Sequence, residues 1–386
     1  MKILLITFYY GITASGVISK RVVDALAEKG HEIVVLTSSS ALSTESKSKV
    51  KFFYIPSLTD SCSLLARFFS RLQSQKFLSI YHYFWVKRTY NKANSVIESL
   101  RPDIIYCRTS PIEACYVGEK LGSLYNIPIL QHFADPIPAP VEYLPESRRR
   151  SVLIKRVKRI IEAANMVSFG NERMLSYVQE QINLPFFNKA FVSPDMASGS
   201  NIHYEIASSN KERTVLTYFG NIYGGRNPSN LLNALLHLYN KGMKIEMRIY
   251  STVMPSLLNK YPFIISKTVT SDIQHALCEA DILVDIDGDD TEPVFISSKL
   301  KDYLLVNRPI LSITPKNSPS CAILSNIVTA RVVVNDQVEI ENAIMYFISS
   351  MFSDADYSDR QPIIDYFSPQ NVSNEIEKRL KSLLVK

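Results

Sequence analysis

Short apolar stretches alternate with helical patterns along both halves of the chain, and this alternation constrains the fold more than any other feature. In the first half the apolar stretches are KILLITF (2–8), HEIVVLTS (31–38), RPDIIYC (101–107), IPILQHF (127–133) and NMVSFG (165–170). In the second half they are RTVLTYFG (213–220), MKIEMRIY (243–250), ADILVDI (280–286), RPILSIT (308–314) and ARVVV (330–334). Such strands, interleaved with helices, form parallel sheets that are covered on both faces. The sequence therefore predicts an α/β protein.

The length of 386 residues is too great for one ordinary core, so two domains are expected. The polar stretch between about 183 and 212 shows the weakest pattern of regular structure. We therefore predict an N-terminal domain over 1–185, a linker region over 186–212 and a C-terminal domain over 213–369.

Composition and charge limit the function classes. A net charge of +6 favours anionic partners such as phosphates or an acidic membrane surface. Nucleic acid is not expected as a partner, because no binding module accompanies the charge. The five cysteines show no CxxC or metal-ligand spacing and are expected to be reduced thiols of a cytosolic protein. No apolar stretch reaches the ~18–20 residues that span a bilayer, and MKILLITFYY is interpreted as a strand rather than a signal peptide.

A basic residue, Arg226, lies between a predicted strand and a predicted helix in the segment YFGNIYGGRNPSNLLNALLHLYNKG. Gly220 would let the chain leave the strand, and Asn227 with Pro228 makes a favourable helix start. Arg226 would then point at the same space as the helix N-terminus, where a planar and permanently charged guanidinium suits a diphosphate. The alternative is an ordinary solvated arginine in a loop.

A second anion site is predicted where a later strand is followed by an acidic loop and a helix. Ser297 or Ser298 is expected to cap this helix, which carries Lys299 and Asp302. The N–H groups from Ser298 to Leu300 and the Lys299 ammonium would bind an anion, and Asp302 would accept hydrogen bonds from hydroxyl groups. The alternative is a capped surface helix.

The acidic loop also allows a metal interpretation. Asp285, Asp287 and Asp289 alternate as in the DxD element of metal-dependent sugar transferases. The run does not fit a calcium loop, because Asp290 and Ile296 stand where glycine and glutamate are required. A solvated acidic loop is the preferred interpretation, and no metal site is predicted.

Two strand ends in the first half supply further candidates. Gly11 and Gly16 follow the first strand without the GxGxxG spacing of dinucleotide-binding proteins, and they serve either a ligand or only a tight turn. In HFADPIPAP, His132 and Asp135 would project towards a common cleft if the two halves face each other. The alternative for His132 is a structural histidine.

Two basic segments fall in the first half, SRRRSVLIKRVKRIIEAA (147–164) and LLARFFSRLQSQKFLSIYHYFWVKR (64–88). Each combines apolar or aromatic residues with lysines and arginines, a composition that suits docking on anionic lipid. The alternative is an ordinary helix that packs through its apolar side and leaves its basic face solvated.

Taken together, these segments resemble glycosyltransferases of the GT-B fold, in particular the retaining group called family 4. The resemblance covers nearly the whole chain and rests on MKILLITFYYGITASGVISKRVVDALAEKGHEIVVLTS, RPDIIYCRTSP, IPILQHFADP and YFGNIYGGRNPSNLLNAL. It implies two Rossmann-like domains facing across a cleft, with the donor on the C-terminal domain and the acceptor on the N-terminal one. It also implies that a C-terminal helix over 370–386 packs back on the first domain.

The resemblance implies roles for single residues. Arg226 matches the basic residue that contacts the donor diphosphate. In SSKLKDYLLVNRPIL, Asp302 matches the second of two glutamates and would hold the nucleotide ribose, whereas Val294 occupies the first position and Glu292 lies nearby out of register. Asp135 matches an acidic position of one subgroup. The predicted site comprises the catalytic residues Arg226, Lys299 and Asp135, the donor-binding residues Gly220, Asn221, Ser298, Leu300, Asp302, Glu292 and Gly16, and His132 on the acceptor side.

We therefore expect a metal-independent glycosyltransferase of hexosyl type that uses no cofactor. It would move a sugar, with retention, from a nucleotide-diphosphate donor to a saccharide or lipid-linked saccharide in cell-surface polysaccharide biosynthesis. It would be cytoplasmic and peripheral on the inner face of the cell membrane. Two alternatives remain open: a GT-B-like nucleotide-sugar epimerase, which needs no acceptor, and a non-catalytic protein that binds nucleotide sugars or a membrane surface.

Overall fold

The computed structural model describes residues 1–38, 49–57, 80–109, 111–199, 212–222, 225–251, 260–267 and 273–385. The chain forms two compact units, one comprising Met1–Met196 with Pro369–Lys386 and the other comprising Ala197–Ser368. In the part of the chain that is described, no helix combines the length and the apolar character that crossing a membrane requires.

The first unit is built on a parallel sheet of seven described strands in the order β3-β2-β1-β4-β5-β6-β7. The strands are β1 (Lys2–Ile6), β2 (Glu32–Ser38), β3 (Val50–Ile55), β4 (Ile104–Arg108), β5 (Ile129–Phe133), β6 (Met166–Phe169) and β7 (Ala190–Val192). Between them lie the helices α1 (Thr13–Glu28), α2 (Ile80–Leu100), α3 (Glu113–Tyr125), α4 (Arg148–Ala163) and α5 (Glu172–Ile182).

The second unit repeats this plan with six described strands in the order β10-β9-β8-β11-β12-β13, again all parallel. The strands are β8 (Thr214–Phe219), β9 (Ile245–Tyr250), β10 (Ile264–Lys267), β11 (Ile282–Ile286), β12 (Ile310–Ile313) and β13 (Ala330–Val333). The helices are α6 (Ser229–Asn240), α7 (Ile273–Cys278), α8 (Leu300–Tyr303), α9 (Pro319–Leu324), α10 (Gln337–Ser349) and α11 (Gln361–Phe367).

The central strands of both sheets have continuous apolar sequences because both of their faces are buried. In β11, Ile282 and Val284 pack into a cluster that includes residues of α6 and α10. Leu283 points to the opposite face and packs into a second cluster with residues of α8 and α11. Because both faces of the strand are covered, every position except one, Asp285, favours an apolar side chain.

The last helix of the chain, α12 (Pro369–Ser382), belongs to the first unit. Its residues Ile376 and Leu380 are fully buried in one cluster with Val22 and Leu26 of α1. At the rim of this contact, Oε1 of Glu377 lies 3.2 Å from Nε2 of His31. Apolar burial therefore provides most of the attachment of α12 to the first unit.

Three short strands, β3, β7 and β10, escaped the sequence analysis, and each lies at the edge of its sheet. An edge strand has a neighbour on one side only and needs no continuous apolar run. The strand β7 lies within 186–212, the range that the sequence analysis assigned to the linker, and its residues belong to the first unit.

Two residues of the basic segments have structural roles that their sequence context did not indicate. Arg150 is fully buried and donates hydrogen bonds to the carbonyl groups of Ala139 and Leu144. Trp85 is also fully buried, with its ring centroid 5.1 Å from that of Phe8. Neither side chain is available for a lipid surface. Residues 64–79 of the second basic segment lie outside the described residues.

The attachment of α12 can be tested by Ile376→Ala, which removes a fully buried side chain from its contact with α1. We expect the free energy of unfolding to fall by about 2–5 kcal/mol, the usual range for such a truncation. Val385→Ala is the matched control, because Val385 is 81% exposed, and it should change the value by less than about 0.5 kcal/mol. Urea unfolding followed by circular dichroism measures both, and equal effects would contradict this assignment.

Candidate functional site

The strand order of the second unit reverses direction between β8 and β11, which lie side by side. In open parallel sheets, ligands bind beyond the carboxyl ends of the two strands at such a point. Gly220 follows β8 with a φ of +110°, a backbone conformation that strongly favours glycine. Asp285 lies within β11, and Asp287 directly follows it. The candidate site is built around these two strand ends.

The loop after β8 leads into α6 much as the sequence indicates. The side-chain oxygen of Asn227 accepts a hydrogen bond from the backbone N–H of Ser229 at 3.0 Å, and Pro228 occupies the N-cap position. Arg226, which is half-buried, immediately precedes this turn. Arg226 therefore stands two residues before the N-cap of α6.

Lys299 occupies the space that the missing side chain of Gly220 leaves. A Cβ atom on Gly220 would lie 2.8 Å from Cε of Lys299. The Lys299 Nζ atom donates a hydrogen bond to the Tyr218 hydroxyl at 3.1 Å and lies 4.3 Å from the centroid of the same ring. It also lies 3.9 Å from Oδ1 of Asp285. Lys299 is therefore enclosed by β8 on one side and β11 on the other.

Two carboxyl groups from β11 and its end face these cations. Asp285 is fully buried, and neither of its oxygens accepts a hydrogen bond from any described group. Asp287 is half-buried, and its Oδ2 atom accepts a hydrogen bond from the Thr314 hydroxyl at 2.9 Å. Burial, and then the charge of Asp285, raises the pKa of Asp287 to about 7. The site therefore combines two basic and two acidic side chains.

Electrostatic coupling shows that Arg226 and Lys299 share one environment. Burial lowers the pKa of Lys299 to about 8, Arg226 adds to this lowering, and Asp285 and Asp287 oppose it. Arg226 also lowers the pKa of Asp287. An anion entering this space would meet both cations, and a hydroxyl group would find carboxylate acceptors.

The helix that was expected to present free N–H groups beside Lys299 is a single turn. It begins at Leu300 after Lys299, and no side chain caps it, so the predicted cap by Ser297 or Ser298 is wrong. The N–H of Leu300 donates to the carbonyl of Ser297 at 3.1 Å, and the Leu300 side chain is part of the core. Ser298 is exposed. Tyr303 and Leu304 are buried in the same cluster as Leu300.

The remaining predicted donor-binding residues of the second unit are dispersed around the site. Asp302 is half-buried, and its Oδ1 atom accepts a hydrogen bond from the backbone N–H of Ser198 at 2.9 Å. The side chain of Asn221 accepts a hydrogen bond from the Ser251 hydroxyl at 2.6 Å. Glu292 is exposed. Val294, which stands where the family pattern has its first glutamate, is fully buried.

Of the predicted residues of the first unit, His132 lies in β5 and Asp135 in the loop that follows it. His132 is buried, its Nδ1 atom lies 3.0 Å from the Ser168 hydroxyl, and its Nε2 atom has no hydrogen-bond partner among the described groups. Burial and the nearby Arg108 hold the pKa of His132 well below its ordinary value, so the ring is neutral. The Asp135 side chain is exposed to solvent, yet neighbouring protein atoms and the Asp195 carboxylate raise its pKa to about 6.

The sequence analysis missed Arg108, Ser168 and Asp195, which surround His132 and Asp135. Arg108 and Ser168 belong to β4 and β6, the neighbours of β5, and Asp195 follows β7. Their positions at or just beyond the ends of neighbouring parallel strands are the signal that could have identified them. Each of the three is one polar residue in an otherwise apolar or irregular segment, so the pattern alone does not single it out.

Gly16 lies inside α1 rather than in the loop before it. A Cβ atom there would lie 3.1 Å from the backbone nitrogen of Tyr10 and 3.2 Å from the carbonyl carbon of Tyr9. The backbone N–H of Gly11 donates to the carbonyl of Gly16 at 2.9 Å. These contacts show that Gly16 permits a close approach of the helix to the preceding chain.

The alternating aspartates do not converge. Asp289 is exposed, and its Oδ2 atom accepts a hydrogen bond from the Asn335 side chain at 2.8 Å. Throughout the described ranges, no group of three or more histidine, cysteine, aspartate or glutamate side chains is arranged to hold a metal ion.

No protein-family model and no curated protein matches the sequence. The structure, however, is similar to solved structures over nearly its whole length. A sucrose-phosphate synthase from Thermosynechococcus elongatus matches with a TM-score of 0.73 and 11% identity, over 99% of this chain and 98% of that one. Anabaena HepE in complex with UDP matches with a TM-score of 0.67 and 12% identity, over 99% and 100%. A Listeria monocytogenes protein assigned as a UDP-N-acetylglucosamine 2-epimerase matches with a TM-score of 0.62 and 11% identity, over 100% and 96%.

At these identities the similarity shows the fold. The two parallel sheets and their strand order, together with these neighbours, confirm the predicted GT-B fold with two Rossmann-like units. The assignment to family 4 within that fold remains a prediction.

The close approach of Gly220 to Lys299 gives a matched pair of variants. Gly220→Ala and Gly242→Ala both place a side chain on a backbone with positive φ, but only at position 220 does the new Cβ atom meet Lys299. Strain at a positive φ costs of order 1–3 kcal/mol at either site. We expect both variants to lose stability in thermal unfolding, whereas only Gly220→Ala should also weaken the binding of nucleoside diphosphates measured by calorimetry, by about tenfold or more. Equal binding by the two variants would show that Lys299 is not part of the site.

Proposed function

We propose that this chain is a glycosyltransferase that uses a nucleotide-diphosphate sugar as donor. The observation that carries the proposal is that Arg226 and Lys299 lie close enough for the charge of Arg226 to lower the pKa of Lys299, at the strand ends where the second sheet of a GT-B fold reverses its order. When the bond between sugar and phosphate breaks, negative charge develops on the leaving diphosphate. Two cations close to this phosphate would stabilise that charge without a metal ion.

The proposal extends to the other residues of the second unit. Asp302, whose Oδ1 atom accepts from the backbone N–H of Ser198, would contact the nucleotide ribose. Gly220 and Asn221 line the exit of β8 and would bring backbone groups near the donor. Because Val294 and exposed Glu292 offer no buried carboxylate for the sugar, we assign that task to Asp287, which is less buried than Asp285.

For the acceptor, we propose the polar group of the first unit. Asp135, with its pKa raised to about 6, is mostly ionised at neutral pH and would accept a proton from the attacking hydroxyl group or orient it. His132 is neutral, and its unpartnered Nε2 atom would hydrogen-bond an acceptor hydroxyl. Retention of configuration, a hexosyl donor and a saccharide or lipid-linked acceptor in polysaccharide biosynthesis belong to the same proposal.

A membrane-surface role is supported by the distribution of charge. The first unit contains 29 lysines and arginines against 18 acidic residues, whereas the second contains 14 against 19. On α4, the side chains of Arg148 and Lys155 are exposed, and the apolar residues of the helix pack inward. We propose that this face of the first unit meets an anionic lipid surface on the cytoplasmic side.

Turnover of nucleotide sugars tests the proposed function. The protein is incubated with donors based on UDP, GDP and dTDP, with and without saccharide or lipid-linked acceptors, and nucleotide release is measured. Arg226→Ala should lower turnover by roughly two to three powers of ten, the usual loss for one oxyanion contact. Lys241→Ala is the control, because Lys241 lies on the surface beyond the far end of α6, where it pairs with Glu341.

The outcomes separate the alternatives. Nucleotide release that requires an acceptor supports transfer, interconversion of donor sugars without an acceptor supports an epimerase, and binding without turnover supports a non-catalytic protein. If the Arg226→Ala variant retained more than half of the activity, the assigned role of Arg226 in the mechanism would be wrong.

Co-sedimentation with vesicles tests the membrane proposal. The protein should sediment with vesicles that contain anionic lipid and remain free with neutral ones, and salt should weaken the binding. The double charge reversal Arg148→Glu with Lys155→Glu should abolish sedimentation, whereas Lys267→Glu on the exposed edge of the second unit should not. Equal recovery with both vesicle types would contradict the proposal.

A further inference from the structure

Asp285 is a buried carboxyl group without a close partner. Its side chain is fully buried, and its oxygens accept no hydrogen bond from any described group. The Lys299 Nζ atom, at 3.9 Å from Oδ1, is beyond hydrogen-bond distance. Burying a carboxylate in this way is costly, because water no longer solvates it and no donor replaces the water. The cost indicates that Asp285 serves the site rather than the stability of the fold.

Lys299 is the group on which Asp285 acts. Its side chain is only 14% exposed, and the face of Tyr218 lies on one side of its Nζ atom. Burial disfavours the ammonium form and lowers the pKa of Lys299 to about 8, and the first opposing influence is the charge of Asp285. Without Asp285, a larger share of Lys299 would be neutral at physiological pH, and a neutral amine does not attract a phosphate.

The other groups around Lys299 cannot replace Asp285. Tyr218 from β8 offers a neutral hydroxyl and ring, and Arg226 from the loop before α6 disfavours a second positive charge. Asp287 supports the ammonium less than Asp285 does, and its own pKa of about 7 leaves it partly protonated near neutrality. Tyr303 from α8 donates to the carbonyl of Val284 in β11. Asp285 is therefore the main source of negative charge beneath the lysine.

The separation of 3.9 Å has a functional consequence. Coulomb attraction falls only as the inverse of distance, so at 3.9 Å it retains roughly 70% of its value at 2.8 Å. A hydrogen bond, in contrast, is lost at that distance. Lys299 therefore feels the charge of Asp285 without a hydrogen bond to that carboxylate. The hydrogen bond that Lys299 does donate goes to the neutral Tyr218 hydroxyl.

We propose that Asp285 is a positioning residue that keeps Lys299 protonated and free to turn towards an arriving diphosphate. This inference rests on the proposed function, because it assigns the anion that Lys299 receives to a nucleoside diphosphate. Binding then replaces a loose pairing by charge-assisted hydrogen bonds to phosphate oxygens. The protonation of Lys299, and so the affinity for diphosphate, depends on Asp285 although Asp285 touches no ligand.

The pH dependence of nucleoside diphosphate binding tests the proposal. Calorimetry with UDP, GDP and dTDP is carried out between pH 6 and 9 on the full chain. For the natural sequence, the affinity should fall as the pH rises through about 8, where Lys299 loses its proton. Asp285→Asn should move this midpoint down by about one pH unit or more, which weakens binding at pH 8 by about fivefold or more. Asp289→Asn, in the exposed part of the same loop, should leave the midpoint unchanged.

The Lys299→Arg variant tests whether Asp285 acts through Lys299. An arginine stays charged throughout this pH range, so the combined variant Asp285→Asn with Lys299→Arg should bind diphosphate with no midpoint near 8. If Asp285→Asn shifts the midpoint equally in both backgrounds, it acts through a group other than Lys299 and the proposal is overturned. Binding of diphosphate with an unchanged midpoint in Asp285→Asn overturns it too, and leaves the proposed function standing.

A measurement without ligand separates this inference from the proposed function. The titration of Lys299 is followed by NMR of isotope-labelled lysines, with Lys299→Arg identifying its signal. A lower pKa of Lys299 in Asp285→Asn supports the effect of Asp285 even if no nucleoside diphosphate binds, in which case only the proposed ligand fails. An unchanged Lys299 pKa refutes the inference. Circular dichroism of each variant shows whether the fold is retained.

Discussion

The second unit depends on two parallel strands, β8 and β11, that lie side by side although their connections leave towards opposite edges of the sheet. Side chains from two distant parts of the sequence meet beyond their carboxyl ends. Gly220 opens the space on one side, and Asp285 and Asp287 line the other. Every proposal about chemistry in this unit follows from that gap.

The candidate site contains carboxyl groups as well as cations, unlike a simple anion-binding site. Arg226 and Lys299 face two carboxyl groups, and the pKa values of Lys299 and Asp287 both move towards neutrality. A pocket of this kind attracts a diphosphate less strongly than two cations alone would. In the proposed function, this weaker attraction would ease release of the diphosphate, and the carboxyl groups would offer acceptors to the hydroxyl groups of a sugar.

The sequence predicted much of the fold because a doubly covered strand must be apolar at nearly every position. Runs such as β1 and β11 are therefore recognisable, and so is the helix start at Asn227 and Pro228. Three of the four described edge strands, among them β10, were not predicted, because an edge strand is partly exposed to solvent and needs no continuous apolar run. Arg226 and Lys299 were predicted as partners, but the role of Asp285 was not, because a single acidic residue in a strand looks the same whether it faces water or lies beneath a lysine.

The helix α12 has a consequence for how the protein is made. It completes the core of the first unit with Ile376 and Leu380, yet it is encoded after the entire second unit. During synthesis the first unit emerges early but keeps an open apolar surface over α1 until the last segment leaves the ribosome. The first unit therefore completes its folding late, although most of its residues are synthesised first. A nascent chain that stalls within the second unit leaves the apolar surface of α1 exposed.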